Sequence, residues 1–260
     1  MRDNHSSTIG ASARRTILGL VVAPSVLIAV SMFALYFMIL PLVPALHHYY
    51  FPQSTTTYAT YRVAILGHIL FGSIALITGP VNLYLGLRRR HRRAHRRIGG
   101  IYAVAVSFAA TFAMFMSFHA YAGTLPGGRY VVTSGFFCLG CIWLATLYAG
   151  VRAIAVDHDR DRHAYWMIIN VSVTYSAVVF RVLNGTLIAT GQFDLLYPTL
   201  GWLGWLPSVV VGVLLARRHH ARALGRRTPR RRVPLGRRTA ALPAVPADAR
   251  VLVRSTSTPS

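Results

Sequence analysis

The chain has 260 residues, of which 54% are apolar and only 13% are charged, so it has too little charge to cover a water-soluble globule of this size. Arginine supplies every basic side chain except histidine, since lysine is absent, and the formal net charge is +22. Such a charge often indicates a nucleic-acid partner, but these arginines border apolar segments and do not alternate with base-stacking aromatic residues. The composition therefore predicts a membrane protein with no nucleic-acid partner.

Six apolar segments follow one another along the chain, each near the ~20 residues that cross a bilayer as a helix. They are Thr16–Leu40, Arg62–Gly86, Ile98–Ala120, Tyr130–Gly150, Tyr165–Ala189 and Tyr197–Ala216. The first segment is too long for the apolar part of a signal peptide and is interpreted as an anchor. In the last one, Pro207 is expected to kink the helix. The predicted fold is an all-α polytopic membrane helix bundle of about six transmembrane helices.

The arginines indicate how these segments are oriented. Twenty-five of the 28 fall in four clusters that flank every second apolar segment, at residues 2–15, 88–97, 152–162 and 217–254. By the positive-inside rule the clusters are cytoplasmic, which places both termini inside a bacterial inner membrane. Anionic lipids of the inner leaflet are then the expected partners of the basic loops, in addition to the bilayer itself; protein partners are not indicated.

The same pattern divides the chain into three parts. Residues 1–15 form a basic cytoplasmic N-terminal tail, and residues 16–216 form the transmembrane domain. Residues 217–260 are rich in Arg, Pro, Ala, Ser and Thr, and from Ala221 onward they lack a periodic apolar face. This last part is predicted to be a disordered basic cytoplasmic tail.

Three ionisable residues lie inside the predicted spans at similar depth in the outer half. They are His68 in the second span, His119 in the third and Arg181 in the fifth. Ionisable groups within a membrane are costly and often functional, so these three are the candidate ligand-binding or cofactor-binding residues. No Asp or Glu lies in any span, so Arg181 either snorkels to the surface, bonds to carbonyl groups, or meets an anion from outside the chain.

Two helical faces support an interior site near these residues. His68 shares its face with Gly72, Ala75 and Gly79, a row of small residues that permits close approach of another helix or a flat ligand. In the fifth span, five residues share a second face that is mostly polar and is expected to point inward: Asn170, Thr174, Ala177, Arg181 and Asn184.

A second group of candidates lies at the predicted cytoplasmic boundary. His95 and Arg96 begin the run that reaches Tyr102, and His163 begins the run that contains Trp166. These residues either form a second functional cluster or are ordinary interfacial residues among the arginines.

Three hypotheses for function remain open. In the first, His68 and His119 ligate a b-type haem and Arg181 meets a propionate, as in a redox protein. In the second, His68 and Arg181 hold an anionic or protonatable solute, as in a transporter or a ligand-binding protein. In the third, the histidines only connect helices in a structural or partner-binding protein.

Short motifs resemble a known family, and they occur in a fixed order along the chain. They are His68-x-x-x-Gly72-x-x-Ala75-Leu76-x-x-Gly79-Pro80, His95-Arg96-x-x-Gly99-x-x-Tyr102, Arg162-His163-x-x-Trp166-Met167, and Arg181 beyond. Over about residues 61–185 the chain resembles the bacterial predicted membrane proteins called domain of unknown function 2306 (DUF2306). The resemblance implies a multi-span inner-membrane protein and draws attention to His68, His95, His163 and Arg181.

Conventional catalytic motifs are absent from the sequence. It has no nucleotide-binding loop, catalytic triad, zinc-protease helix or paired carboxylates, so an enzymatic role, if there is one, is that of a membrane oxidoreductase component. Cys138 and Cys141 lie within the fourth span and are interpreted as two small packing residues. No site for a free metal ion is predicted, and haem b is the only cofactor considered.

Overall fold

The computed structural model describes residues 4–43, 55–88 and 91–227. By its internal contacts the chain divides into a unit of residues 1–225 and a second unit of residues 226–260. Most of the second unit lies outside the described residues, as do residues 1–3 and 89–90. The predictions made for these positions, including that of a disordered basic tail, are therefore left as predictions.

Six long helices, numbered α1 to α6 in chain order, form the described part of the chain, and no strand occurs in it. Their bounds are α1 Asn4–Ala34, α2 Arg62–Arg88, α3 Arg92–Ser117, α4 Gly128–Ala155, α5 Arg160–Ala189 and α6 Leu206–Arg227. A π-helical segment at Leu35–Ile39 extends α1 to Leu42. Six helical stretches are long and apolar enough to cross a membrane, which confirms the predicted fold class.

The helix ends differ from the predicted boundaries at both sides of the transmembrane domain. Helix α1 begins at Asn4, within the predicted N-terminal tail, although its apolar stretch starts only at Gly19. Helix α6 continues to Arg227, beyond the predicted end at residue 216. Arginine is a good helix former, so a polar helical extension on an apolar span costs little.

The predicted kink at Pro207 is replaced by a helix start. Helix α6 begins at Leu206, so Pro207 lies in its first turn. Backbone N–H groups of the first turn have no acceptor within the helix, so the N–H that proline lacks costs no hydrogen bond there. Before it the chain forms three short helical segments, Phe193–Leu196, Tyr197–Thr199 and Leu200–Leu203. The sixth apolar stretch is therefore a broken span rather than one kinked helix.

The middle four helices form a closed ring. Helix α2 packs on α3, α3 on α4, α4 on α5, and α5 returns to α2, so α3 and α5 face each other across the interior. Helix α1 lies against α2 and α5. Helix α6 packs on α5 where Gly212 meets Ser172. The interior of the ring holds the candidate site.

Close packing of α2 against α3 depends on several glycines, among them Gly79. A Cβ atom added at Gly79 would come within 2.8 Å of the Tyr102 ring, closer than real Cβ contacts. Tyr102 is fully buried. The row of small residues predicted on α2 thus admits a side chain of α3 at Gly79, while Ala75 on the same face is buried in the core.

Three arginine-bearing segments meet at one end of the bundle, here called the arginine-rich end. The rings of His95 at the start of α3 and His163 at the start of α5 are 6.3 Å apart, and those of Tyr165 and His220 are 6.1 Å apart. The start of α3, the start of α5 and the later turns of α6 therefore lie together. The opposite end, with residues 118–127 and 190–205, is called the loop end. Which end faces the cytoplasm is still a prediction.

We expect Gly79→Ala to lower the free energy of unfolding by about 1–3 kcal/mol, because the added methyl group overpacks the contact with Tyr102. Gly100→Ala is the matched control, since Gly100 on α3 is exposed and a Cβ there meets nothing within 4 Å. Denaturant titration of both variants in mixed micelles measures the difference. Equal stability of the two variants would contradict the close α2–α3 packing.

Reporter fusions should place the arginine-rich end in the cytoplasm. We expect a fluorescent protein fused after Arg227 to fold and an alkaline phosphatase fused there to be inactive, because arginine-rich loops are retained inside. Alkaline phosphatase inserted at Gly127, on the loop end, should be active. The reverse activities would show that the bundle is inverted.

Candidate functional site

A hydrogen-bonded group of side chains lies buried in the middle of the ring, here called the central network. It consists of Tyr102 on α3, Trp143 and Thr146 on α4, and Asn170 and Thr174 on α5; each is buried. The hydroxyl oxygen of Tyr102 lies 2.6 Å from Asn170 Oδ1 and 2.7 Å from Thr174 Oγ1. Trp143 Nε1 donates to Thr174 Oγ1 at 2.9 Å. The network thus joins three helices at the centre of the bundle.

Hydrogen positions in the central network follow from what each atom is able to donate. The indole of Trp143 only donates, so Thr174 accepts from it. The amide oxygen of Asn170 only accepts, so Tyr102 donates its single proton there. The single proton of Thr174 then has two acceptors within reach, the hydroxyl oxygen of Tyr102 at 2.7 Å and the backbone carbonyl of Asn170 at 3.1 Å.

The amide nitrogen of Asn170 completes the central network. It donates to the backbone carbonyl of Trp143 and to Thr146 Oγ1, both at 2.8 Å. Thr146 in turn donates to the carbonyl of Ile142 at 2.8 Å. The bonds therefore form a ring that begins and ends at Trp143, and each of its polar side chains is satisfied without water.

A cavity of about 310 Å³ adjoins the central network on the side of the loop end. Trp143 and Thr174 belong to both. The lining is mostly apolar, and its charged or titratable members are His68, Arg181 and Tyr197. Among the described residues that line the cavity there is no Asp or Glu. The cavity volume is at the lower end of the range for small-molecule sites, which are also mostly apolar with a few placed polar groups.

His68 lines the cavity in a defined hydrogen-bonding state. Its Nδ1 lies 2.9 Å from the backbone carbonyl of Ala109 on α3. A carbonyl oxygen only accepts, so Nδ1 carries the hydrogen and Nε2 is left to bond elsewhere. His68 is thus oriented by α3, as expected for a residue that contacts a bound group.

Arg181 shares the cavity with His68, as the mostly polar face of α5 predicted. Its guanidinium carbon lies 5.7 Å from the centre of the Phe180 ring. Among the residues that the structure describes, the sole ion pair joins Arg162 and Asp157, so no carboxylate pairs with Arg181 there. Of the other members of that face, Asn170 and Thr174 belong to the central network and Ala177 lines the cavity.

His119 is not part of the cavity lining. Its ring stacks on that of Tyr61, with centroids 3.9 Å apart, and lies 5.2 Å from the ring of Phe115. The structure thus brings His68 and Arg181 together and places His119 in a separate aromatic group. A haem held between His68 and His119 does not fit this arrangement, because only one of the two histidines borders the available space.

The second predicted cluster contains a real pair of histidines. The rings of His95 and His163 lie edge to face, with their centroids 6.3 Å apart and their planes at 83°. His95 donates from Nδ1 to the carbonyl of Asn82 at 3.2 Å, and His163 donates from Nδ1 to the carbonyl of Gly150 at 2.8 Å. Both rings therefore keep an unprotonated Nε2 in their neutral form.

Local sequence features set the positions of these two histidines. The carboxylate of Asp159 accepts from the backbone N–H groups of Asp161 and Arg162 and caps α5, so His163 lies in its first turn. The ring of His95 lies against Gly86, where an added Cβ would come within 2.9 Å of it. A glycine on α2 and a cap on α5 thus hold the pair in place.

The other members of the second cluster have different surroundings. Tyr102 belongs to the central network, two turns along α3 from His95. Trp166 packs edge to face against Tyr165, with centroids 5.3 Å apart. Arg96 is exposed. The predicted cluster thus separates into a histidine pair, one network residue, a half-buried tryptophan packed on the core and an exposed arginine.

Three residues of these sites were not identified in the sequence analysis. Trp143 and Thr146 join the central network, and Asn82 supplies the carbonyl that binds His95. The side-chain oxygen of Asn82 is buried and has no hydrogen-bond partner among the described residues. An asparagine within an apolar span was a signal available in the sequence, whereas the role of Trp143 depends on contacts between helices.

We expect Thr174→Val to lower the free energy of unfolding by about 1–2 kcal/mol, because it leaves the indole N–H of Trp143 and one lone pair of Tyr102 unsatisfied. The control is Thr186→Val on the same helix, whose exposed hydroxyl bonds only to the carbonyl of Val182. Both variants are compared by unfolding in mixed micelles. A Thr174→Val protein as stable as the control would show that the network contributes little.

Comparison with known proteins gives one match. The model of a family described as predicted membrane protein (DUF2306) matches residues 65–216, which begins within α2 and reaches into α6. No curated protein and no solved structure matches the chain. The match includes His68, Arg181 and the whole central network, and extends beyond the residues on which the sequence motifs rest. The chain therefore belongs to the DUF2306 family of predicted membrane proteins.

Proposed function

We propose that this membrane protein binds a small amphipathic anion in the cavity lined by α1 to α5 and by residues 197–205 at the loop end. The observation that carries the proposal is that His68 and Arg181 line one cavity and that no acidic residue is found among its described lining residues. A permanently charged guanidinium in an apolar environment is costly unless an anion or water accompanies it. A bound carboxylate or phosphate would supply the missing charge.

The lining also indicates the rest of the ligand. Aromatic and aliphatic side chains form most of the wall, among them Phe136, Phe180 and Trp205. Hydroxyl groups of Ser73 and Ser117 also belong to the lining. These features suit a molecule with a compact apolar body and one anionic group, which is oriented by Arg181 and His68.

The central network favours binding over free passage. Trp143 and Thr174 close the cavity toward the arginine-rich end, and each of their polar side-chain groups is engaged within the protein. A solute that passes through would have to break these bonds. We therefore favour a ligand-binding protein, with transport requiring a rearrangement of the network.

Thermal unfolding in lipid nanodiscs tests this function. We expect an aromatic carboxylate such as phenylpropionate to raise the Tm in a concentration-dependent way, since a ligand at a hundred times its Kd contributes about 2.7 kcal/mol. Its neutral amide should have no comparable effect. Arg181→Gln should abolish the shift and leave the Tm without ligand within a few degrees.

Arg62→Gln is the matched control, because Arg62 is exposed on α2 near the loop end and is not a lining residue. It should keep the full ligand-induced shift. Equal shifts from the carboxylate and its amide, or a full shift in Arg181→Gln, would contradict the proposal.

A further inference from the structure

We infer that His95 and His163 bind one transition-metal centre between their Nε2 atoms, at the arginine-rich end of the bundle. This site is separate from the proposed anion cavity, whose lining contains neither residue. Three independent features support it: the fixed tautomers of the two rings, their separation, and an unmatched acceptor beside them.

The tautomers leave two lone pairs near each other. Each Nδ1–H donates to a backbone carbonyl, that of Asn82 or that of Gly150, and neither Nε2 has a partner among the described residues. Nδ1–H bonded to a carbonyl is the usual second-shell arrangement of a metal-bound histidine, because it fixes the ring and increases the basicity of Nε2. Two such rings beside each other leave two basic nitrogens that one shared cation can bind.

The separation suits one shared metal. Two imidazoles on opposite sides of a metal, each at about 2.1 Å from it, have ring centres roughly 6 to 7 Å apart. The observed distance between the centroids of His95 and His163 is 6.3 Å. Helices α3 and α5 therefore need not move to bind a metal.

Asn82 adds an oxygen to the surroundings of the pair. The residue is 6% exposed, its carbonyl accepts from His95, and its side-chain oxygen has no hydrogen-bond partner among the described residues. A buried acceptor without a partner is uncommon in a protein interior and calls for an unseen donor or cation.

The charges near the histidine pair distinguish between a free metal ion and haem iron. The first turns of α3 carry Arg92, Arg93 and Arg96, all exposed, beside His95. These side chains repel a bare divalent ion but attract the propionates of a haem, whose iron takes two axial histidines. Haem iron and a free ion form the same bond to an imidazole nitrogen, and the nearby charges favour haem.

The experiment uses the full chain, purified from cells supplied with a haem precursor. The absorption spectrum and a pyridine haemochrome assay measure haem, and elemental analysis after incubation with Zn²⁺ and removal of the excess measures a free ion. We expect about one centre per chain by one of these two routes. Neither haem nor bound Zn²⁺ in the wild-type protein would overturn the inference.

Four variants locate the centre. His95→Gln and His163→Gln keep a polar side chain at each position and should each lower occupancy at least tenfold. His68→Gln and His119→Gln should keep full occupancy. The inference would be overturned if His95→Gln and His163→Gln kept the bound haem or Zn²⁺. It would also be overturned if the bound group were lost only in His68→Gln and His119→Gln.

Size-exclusion chromatography and the Tm of each variant show whether it is folded. If a glutamine variant does not fold, the wild-type spectrum still decides. Two axial imidazoles give low-spin haem iron, and the electron paramagnetic resonance signal of the oxidised protein reports this directly. A high-spin signal from bound haem would count against ligation by the pair.

Discussion

The need to satisfy buried polar groups within the bundle determines how this protein is built. Neither lipid nor packed side chains can bond to the hydroxyl of Tyr102 or the amide of Asn170, so the partners must come from neighbouring helices. The central network supplies them from α3, α4 and α5. Because Tyr102 also fills the space above Gly79 of α2, all four helices of the ring are positioned by this one group.

The central network also separates two regions with different chemistry. On the side of the loop end lies the cavity with Arg181 and His68, which suits an anion. At the arginine-rich end lies the pair of His95 and His163, which suits a metal centre. Both regions contain histidines whose Nδ1 is bonded to a carbonyl of a neighbouring helix, so helix packing sets their orientation.

Apolar length and arginine placement were sufficient to predict the six spans, because both reflect the bilayer rather than contacts between helices. The inward face of α5 was also predictable, since helical periodicity alone puts Thr174 and Arg181 on one side. Whether His68 and His119 meet was not predictable, because two residues at matching depth can lie on helix faces that do not touch. Likewise, His95 and His163 were recognised as candidates, but their contact depends on how α3 and α5 cross the ring.

The claim that most needs testing is that the central network acts as one unit. Tyr102→Phe and Trp143→Phe each remove a group that bonds to Thr174. A double-mutant cycle on the free energy of unfolding measures their coupling. We expect a coupling energy of about 0.5 kcal/mol or more. Additive effects, with a coupling energy indistinguishable from zero, would contradict a cooperative network at the centre of this bundle.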